Sequence, residues 1–401
     1  MASPPYDVVN REEALRLAEG NPRSFLHVGR SDIDLPPDTD PYDPRVYATA
    51  RANLDRFMNE GVLLRDPEPA IYLYEQVMQG RSQIGVVGCV HIDDYADDVI
   101  RKHEKTRRDK EDDRTRHVLT LNANAEPVFL TFRDDVRLAG LIANEARGAA
   151  LYDFVAPDGV RHRVWKSDAV GAWVEAFEGV SHAYVADGHH RCASAWRAGE
   201  ELRAAAGESA EGEHDWFLAV LFPAGQVRIL PYHRVVRDLN GLTPAQFLER
   251  LAQVGRVEPV ADGAPPAPGS FGFYVGGRWY RLTLDPAGIP SGDPIRSLDA
   301  ALLEERVLGP ILGMGDIRTD KRVDFVGGIR GTTELARRVD SGEMAVGIAL
   351  YPVTVEQLMA VSDAGQIMPP KTTWFEPKLR SGLFVHTLDE PTPASGIGSR
   401  A

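Results

Sequence analysis

Cysteine is nearly absent. Among 401 residues only Cys89 and Cys192 carry a thiol, far apart and with no Cys-x-x-Cys spacing. This excludes a disulfide framework and a thiolate zinc site, and it fits two buried thiols in a reducing cytoplasm. An excess of positive charge is also missing. Acidic residues outnumber basic ones 59 to 45, for a net charge of −14, which argues against general binding to nucleic acid or to an anionic membrane. No apolar run reaches membrane-spanning length, and residues 1–7 lack the basic and apolar regions of a signal peptide. A cytoplasmic protein without membrane attachment is expected. No internal repeat is evident. The Gly-rich turn at 327–331 lacks the lysine and spacing of a P-loop.

What is present suits a folded protein with a packed core. A hydrophobic fraction of 43% is ample for a packed interior, and the length suggests two domains. The expectation is an α/β domain over 1–240, a second α/β domain over 241–390 around a linker at 261–269 with three prolines and two glycines, and a disordered tail at 391–401. Strand patterns fall at 25–28, 71–78, 84–92, 127–133, 216–222, 229–236 and 383–388, with hairpins around 157–159 and 276–277. Helical patterns lie at 46–58, 135–147, 168–177, 191–206 and 297–308, the last with Ser297 as its cap. This alternation predicts an α/β or α+β fold, mixed sheets with flanking helices.

The densest chemistry lies at Asp187-Gly188-His189-His190-Arg191. A β-prone run enters it and an Ala-rich helical pattern leaves it, so the polar side chains stand at a helix N-terminus. There the first N–H groups lack partners and the dipole is positive, which favours an anion such as phosphate. Gly188 allows a tight turn and close approach. Arg191 can grip phosphate as a fork, while Asp187 can hold Mg²⁺ or take a proton from a hydroxyl. A plain capping aspartate beside surface histidines is the simpler alternative.

The second dense stretch, 101–117, carries eight Lys/Arg and five Asp/Glu. If helical, it places His103, Arg107, Lys110, Arg114 and His117 on one face. Glu104 with Arg108 and Lys105 with Asp109 are also the i,i+4 pairs of an ordinary solvated helix. The excess positive charge on one stripe calls for an anion or an acidic neighbour.

Four motifs in order carry a resemblance: Pro4-Pro5-Tyr6-Asp7-Val8-Val9, Lys102-His103-Glu104-Lys105-Thr106, the Asp187–Arg191 motif, and Met368-Pro369-Pro370-Lys371-Thr372-Thr373-Trp374-Phe375-Glu376-Pro377-Lys378. Together they resemble the DUF1015 family of uncharacterised bacterial proteins. More distantly, the strand–Asp-Gly-His-His-Arg–helix unit is similar to the phosphate-contacting motif of the ParB/sulfiredoxin-like superfamily, especially its free-serine kinases. That resemblance implies a small-molecule kinase using ATP or ADP with Mg²⁺ on a hydroxyl compound, free L-serine being the best guess.

In that reading Gly188, His189, His190 and Arg191 hold phosphates. Lys105, Arg107, Arg114 and His117 add positive charge, His103 assists catalysis, and Asp187 or Glu104 is base or Mg²⁺ ligand. Tyr6, Asp7 and Lys371, from the first and last motifs, are further site candidates. The expected partners are a nucleotide and a small-molecule substrate, with neither membrane nor nucleic acid, and a homodimer is compatible with the sequence. The reading requires the two polar stretches to meet in space. Two alternatives stay open: a Zn²⁺ or Mn²⁺ hydrolase using His103, His189, His190 and Asp187, and a non-catalytic nucleotide-binding, ParB-like module.

Overall fold

The computed structural model describes residues 1–207 and 211–389. The tail expected at 391–401 lies outside the described residues. The chain divides into two compact units, Met1–Val227 together with the chain from Pro377 onward, and Arg228–Glu376. The division therefore falls at 227/228 and again at 376/377 rather than once near 240. The Pro/Gly segment 261–269 lies inside the second unit, where it joins two strands.

Helices of the first unit are α1 (Arg11–Ala18), α2 (Leu26–Gly29), α3 (Pro44–Asn59), α4 (Ile92–Ala96), α5 (Arg108–Leu121), α6 (Val136–Glu145), α7 (Val170–Phe177) and α8 (His189–Ala206). Its large sheet consists of β1 (Ile71–Met78), β2 (Arg81–His91), β3 (Ile100–Arg101), β4 (Val128–Phe132), β5 (Tyr152–Val155), β6 (Arg161–Ser167), β7 (Ala183–Asp187) and β8 (Trp216–Pro223). They pair in the order β3-β7-β4-β8-β2-β1-β6-β5. The β3–β7 and β4–β8 pairs are parallel and the others antiparallel, so the fold is a mixed α/β sheet.

Local chemistry explains these elements. Gln79 and Gly80 both take positive φ (53° and 77°), the geometry that closes a two-residue hairpin between β1 and β2. Strand β8 is buried from Phe217 onward, as its unbroken apolar run requires of a central strand. Leu73, Val86, Leu130, Phe132, Trp173, Val185 and Phe217 form one core, each contributing on the order of 1.5–3 kcal/mol by burial. Asn10 and Glu13 close a capping box on α1, and Asp135 caps α6.

Three expectations about elements of the first unit need correction. Where a strand is expected at 25–28, helix α2 runs over Leu26–Gly29 after Phe25, with Val28 N and Gly29 N donating to Phe25 O at 2.9 and 3.0 Å. Phe25 and Val28, one turn apart, then pack on Ala50, Leu54 and Phe57 of α3, and a four-residue apolar run cannot reveal that period in advance. Helix α5 begins at Arg108, so His103 and Arg107 precede it instead of sharing its face. The closing strand shrinks to His386–Thr387, paired with Ala123–Asn124.

In the second unit β9 (Tyr232–Val236), β10 (Arg256–Val260), β11 (Ser270–Val275), β12 (Arg278–Thr283), β13 (Val323–Gly327) and β14 (Val346–Leu350) form an antiparallel sheet ordered β10-β12-β11-β14-β9-β13. Phe247, Phe271, Phe273, Leu302 and Ile348 sit in its core. Ser297 does not cap the helix that follows, because its hydroxyl donates to Pro294 O at 3.4 Å. That helix runs over Asp299–Leu303 and continues as a π turn, Glu304–Leu308. No helix among the described residues is long and apolar enough to cross a membrane.

Candidate functional site

Strand β7 lies between β3 and β4, buried through Ala186, and delivers Asp187 at its C-terminal end. Gly188 then turns the chain with φ 98° and ψ 33°, a left-handed conformation that only glycine adopts without strain. A Cβ there would sit 3.1 Å from Nε and 3.2 Å from Cζ of Arg191. Helix α8 starts at His189 with no side chain capping it. Asp187 is therefore not the cap that its position suggests.

Its carboxylate is turned to two cations instead. Arg191 Nη2 reaches Asp187 Oδ2 at 3.2 Å, and Lys378 Nζ reaches Oδ1 at 3.3 Å. Burial alone would raise the Asp187 carboxyl, but Lys378 and Arg191 outweigh it and hold the group well below the usual carboxylate range. Arg191 is 8% exposed and also donates to Pro127 O. Asp7 Oδ2 lies 3.6 Å from its Nη2. Its Nε has no hydrogen-bond partner among the described residues, so a buried, charged donor stands beside an uncapped helix N-terminus. Unmet buried donors of this kind call for a ligand or water.

The stretch around His103 closes on the same turn. The His103 ring meets His189 edge-on, with centroids 4.4 Å apart and planes at 89°. Burial pushes His103 down to about 4 and His189 well below its ordinary value, so both imidazoles are neutral near pH 7. Among the described residues His189 Nε2 is buried without a partner. Its Nδ1 lies 3.9 Å from Glu104 Oε2, a carboxylate 49% exposed. His190 Nε2 accepts from Arg107 N at 3.1 Å, which ties the N-terminus of α5 to that of α8. Further along, Ser194 Oγ donates to Glu111 O at 3.2 Å and Arg197 pairs with Glu111 and Asp112. The two polar stretches thus meet.

The remaining candidates divide. Tyr6 and Asp7 join the site: Tyr6 N donates to Glu126 Oε1 at 3.3 Å, and Arg114 stacks its guanidinium 4.2 Å from the centre of the Tyr6 ring while pairing with Asp113 at 2.9 Å. Lys105 is exposed. The Arg107 guanidinium is taken by Asp109. His117 is buried, with Nε2 donating to Val28 O at 3.2 Å, and burial beside Arg114 drives it down to about 3, so it serves packing between α5 and α2. Lys371 belongs to the second unit, where its ammonium lies 5.8 Å from the centre of the Tyr232 ring.

Two residues escaped the sequence reading. Glu126, isolated between elements, accepts from Ser381 Oγ at 2.9 Å as well as from Tyr6, and burial raises its carboxyl against the pull of Arg191. Lys378 was visible only as the end of a Pro-rich run. Behind Arg114, Glu126, Arg191 and Ser194 lies a cavity of about 30 Å³, room for roughly two waters.

Among the described residues no group of three or more His, Cys, Asp or Glu side chains is placed to hold a metal. The four-ligand set of the hydrolase reading is therefore not assembled. Mg²⁺ makes a smaller demand, one or two carboxylates plus phosphate oxygens. Asp187 does not suit that role, because both of its oxygens face cations.

A search of curated proteins finds no match. Among solved structures the chain is similar to a free serine kinase in complex with AMP (14% identity, TM-score 0.35, covering 72% of this chain and 86% of that one). It is also similar to a conserved hypothetical protein from Pyrococcus furiosus (14%, 0.34, 72% and 90%) and to C-terminally truncated SbnI from Staphylococcus aureus (13%, 0.38, 74% and 85%). Residues 1–301, spanning every motif but the last, match the model of a family described as protein of unknown function, and the chain belongs to that family, DUF1015.

Proposed function

We propose that the first unit is a nucleotide-dependent phosphotransferase acting on a small hydroxyl compound, with free L-serine the first acceptor to try. One observation carries this: the N-terminus of α8 is uncapped beside Arg191, whose buried Nε is unmatched, at a glycine whose φ of 98° opens the backbone to close approach. Backbone N–H groups, the positive end of an 18-residue helix and a guanidinium together favour a phosphate. Neutral His189 and His190 add N–H donors without like-charge repulsion of Arg191.

The transfer needs positioned charge and one proton acceptor. Phosphorus leaves the bridging oxygen of the nucleotide, which keeps the electron pair, and bonds to the acceptor's hydroxyl oxygen. The hydroxyl proton passes to a carboxylate. Glu104 suits that role because it is half-exposed beside His189, whereas Asp187 is committed to Lys378 and Arg191. Mg²⁺ would be held chiefly by phosphate oxygens and would supply further charge neutralisation when bound, leaving Glu104 to take the proton. Calorimetric titration with ATP, ADP and AMP, with and without Mg²⁺, followed by label transfer to amino acids and polyols, tests the reading. Saturable nucleotide binding and a labelled hydroxyl product are expected, and absence of any nucleotide binding would sink it.

A further inference from the structure

After the second unit the chain returns to the first, and the segment beginning at Pro377 is gripped by buried polar side chains of β1 and β6. Gln76, with no exposed surface, donates from Nε2 to Lys378 O at 2.8 Å and accepts at Oε1 from Gln83 at 3.0 Å. The Tyr74 hydroxyl accepts from Arg380 N at 3.3 Å. Arg380 Nε donates to His162 Nε2 at 3.2 Å, which makes Nδ1 the protonated nitrogen, donating to the Tyr74 hydroxyl at 2.7 Å. The His162 ring, wholly buried and pushed down to about 4 by burial, stays neutral in that tautomer. Ser381 bonds Ser3 in both directions at 3.0 Å. Polar groups so deep are costly unless matched, and here their matching fixes the backbone at Lys378 and over the three residues that follow it.

Lys378 meets Asp187 at the entry to the Gly188 turn, its side chain 17% exposed. The chemistry at this point calls for two kinds of cation. Arg191 is a planar fork held rigidly by Pro127 O and Asp187, suited to gripping a stationary phosphate. An ammonium on a flexible four-carbon stem is a compact point charge, suited to following a group as it moves. Building on the phosphotransferase reading above, we propose that Lys378 is a catalytic residue whose ammonium contacts the phosphoryl group in transfer, with Gln76, Tyr74 and His162 as its positioning residues. Asp187 parks the ammonium before the nucleotide arrives.

The test compares wild type with Lys378→Met, Lys378→Arg and Lys378→Ala. In Lys378→Met turnover should fall about a hundredfold, as for loss of one transition-state donor, while ADP affinity stays within about threefold, since uniform binding is untouched. Lys378→Arg should recover part of the rate, and ethylammonium should restore Lys378→Ala saturably, which a structural role would not allow. Thermal midpoints confirm that each variant is folded. If wild type transfers phosphate and Lys378→Met turns over within about threefold of it, Lys378 is not catalytic and only this inference falls. Failure of wild type to bind any adenine nucleotide would instead remove the phosphotransferase reading, and this assignment with it.

Discussion

Arg191 and Gly188 show how far adjacent residues can be read and where such reading stops. The turn was legible because its parts are consecutive, and strand, glycine and helix pattern together implied an N-terminus. What no local pattern contains is the partner of Asp187. Lys378 lies 191 positions away and Glu126 stands in no motif, so only the tertiary fold shows that the expected cap is an ion-pair hub. Two predictions belong to this scale. Arg191→Met should weaken ADP binding roughly tenfold to a hundredfold, the worth of a charge-assisted hydrogen bond, as read by calorimetry. Gly188→Ala places a side chain at φ 98° and 3.1 Å from Arg191 Nε. It should lower stability by about 1–2 kcal/mol in urea unfolding and weaken nucleotide binding as well.

Among the elements, α5 and the segment returning at 377 teach different lessons. The charge pattern of 101–117 continues through His103, but the helix starts at Arg108 because Arg107 N is taken by His190, so the long-range contact fixes the end that periodicity cannot. The helix is also more than a solvated one, with Asp113 bonded to Tyr47 at 2.7 Å and His117 to Val28. The strand expected at 25–28 failed for the converse reason, four apolar residues being too few to separate two periods. Gln76→Leu should reveal what holds the returning segment. It strands Lys378 O and Gln83 Nε2 in a buried setting. The expected cost is roughly 1–3 kcal/mol for each unmet group, seen as a lower urea midpoint, together with slower phosphate transfer.

For the whole molecule, length and composition indicated two units, yet not that one is inserted into the other. A Pro/Gly run at 261–269 resembles a linker, whereas the actual crossings at 227/228 and 376/377 carry no such signal. The histidines set the response to acid. His103 and His162 titrate near 4 when folded against about 6.5 when unfolded. Between these values the unfolded chain binds more protons, so stability is full above about pH 6.5 and falls as pH drops toward 4, by on the order of 3 kcal/mol for each. Asp187, depressed by its cations, adds a loss only below the unfolded carboxylate range near 4. Urea midpoints should therefore drop between pH 7 and 5, and His103→Gln should flatten that slope. The most direct test of the central claim is a crystal structure with ADP bound. A phosphate should lie within about 3.2 Å of the first α8 amides and of Arg191. ADP bound elsewhere on the chain, with the Gly188 turn left empty, would contradict it.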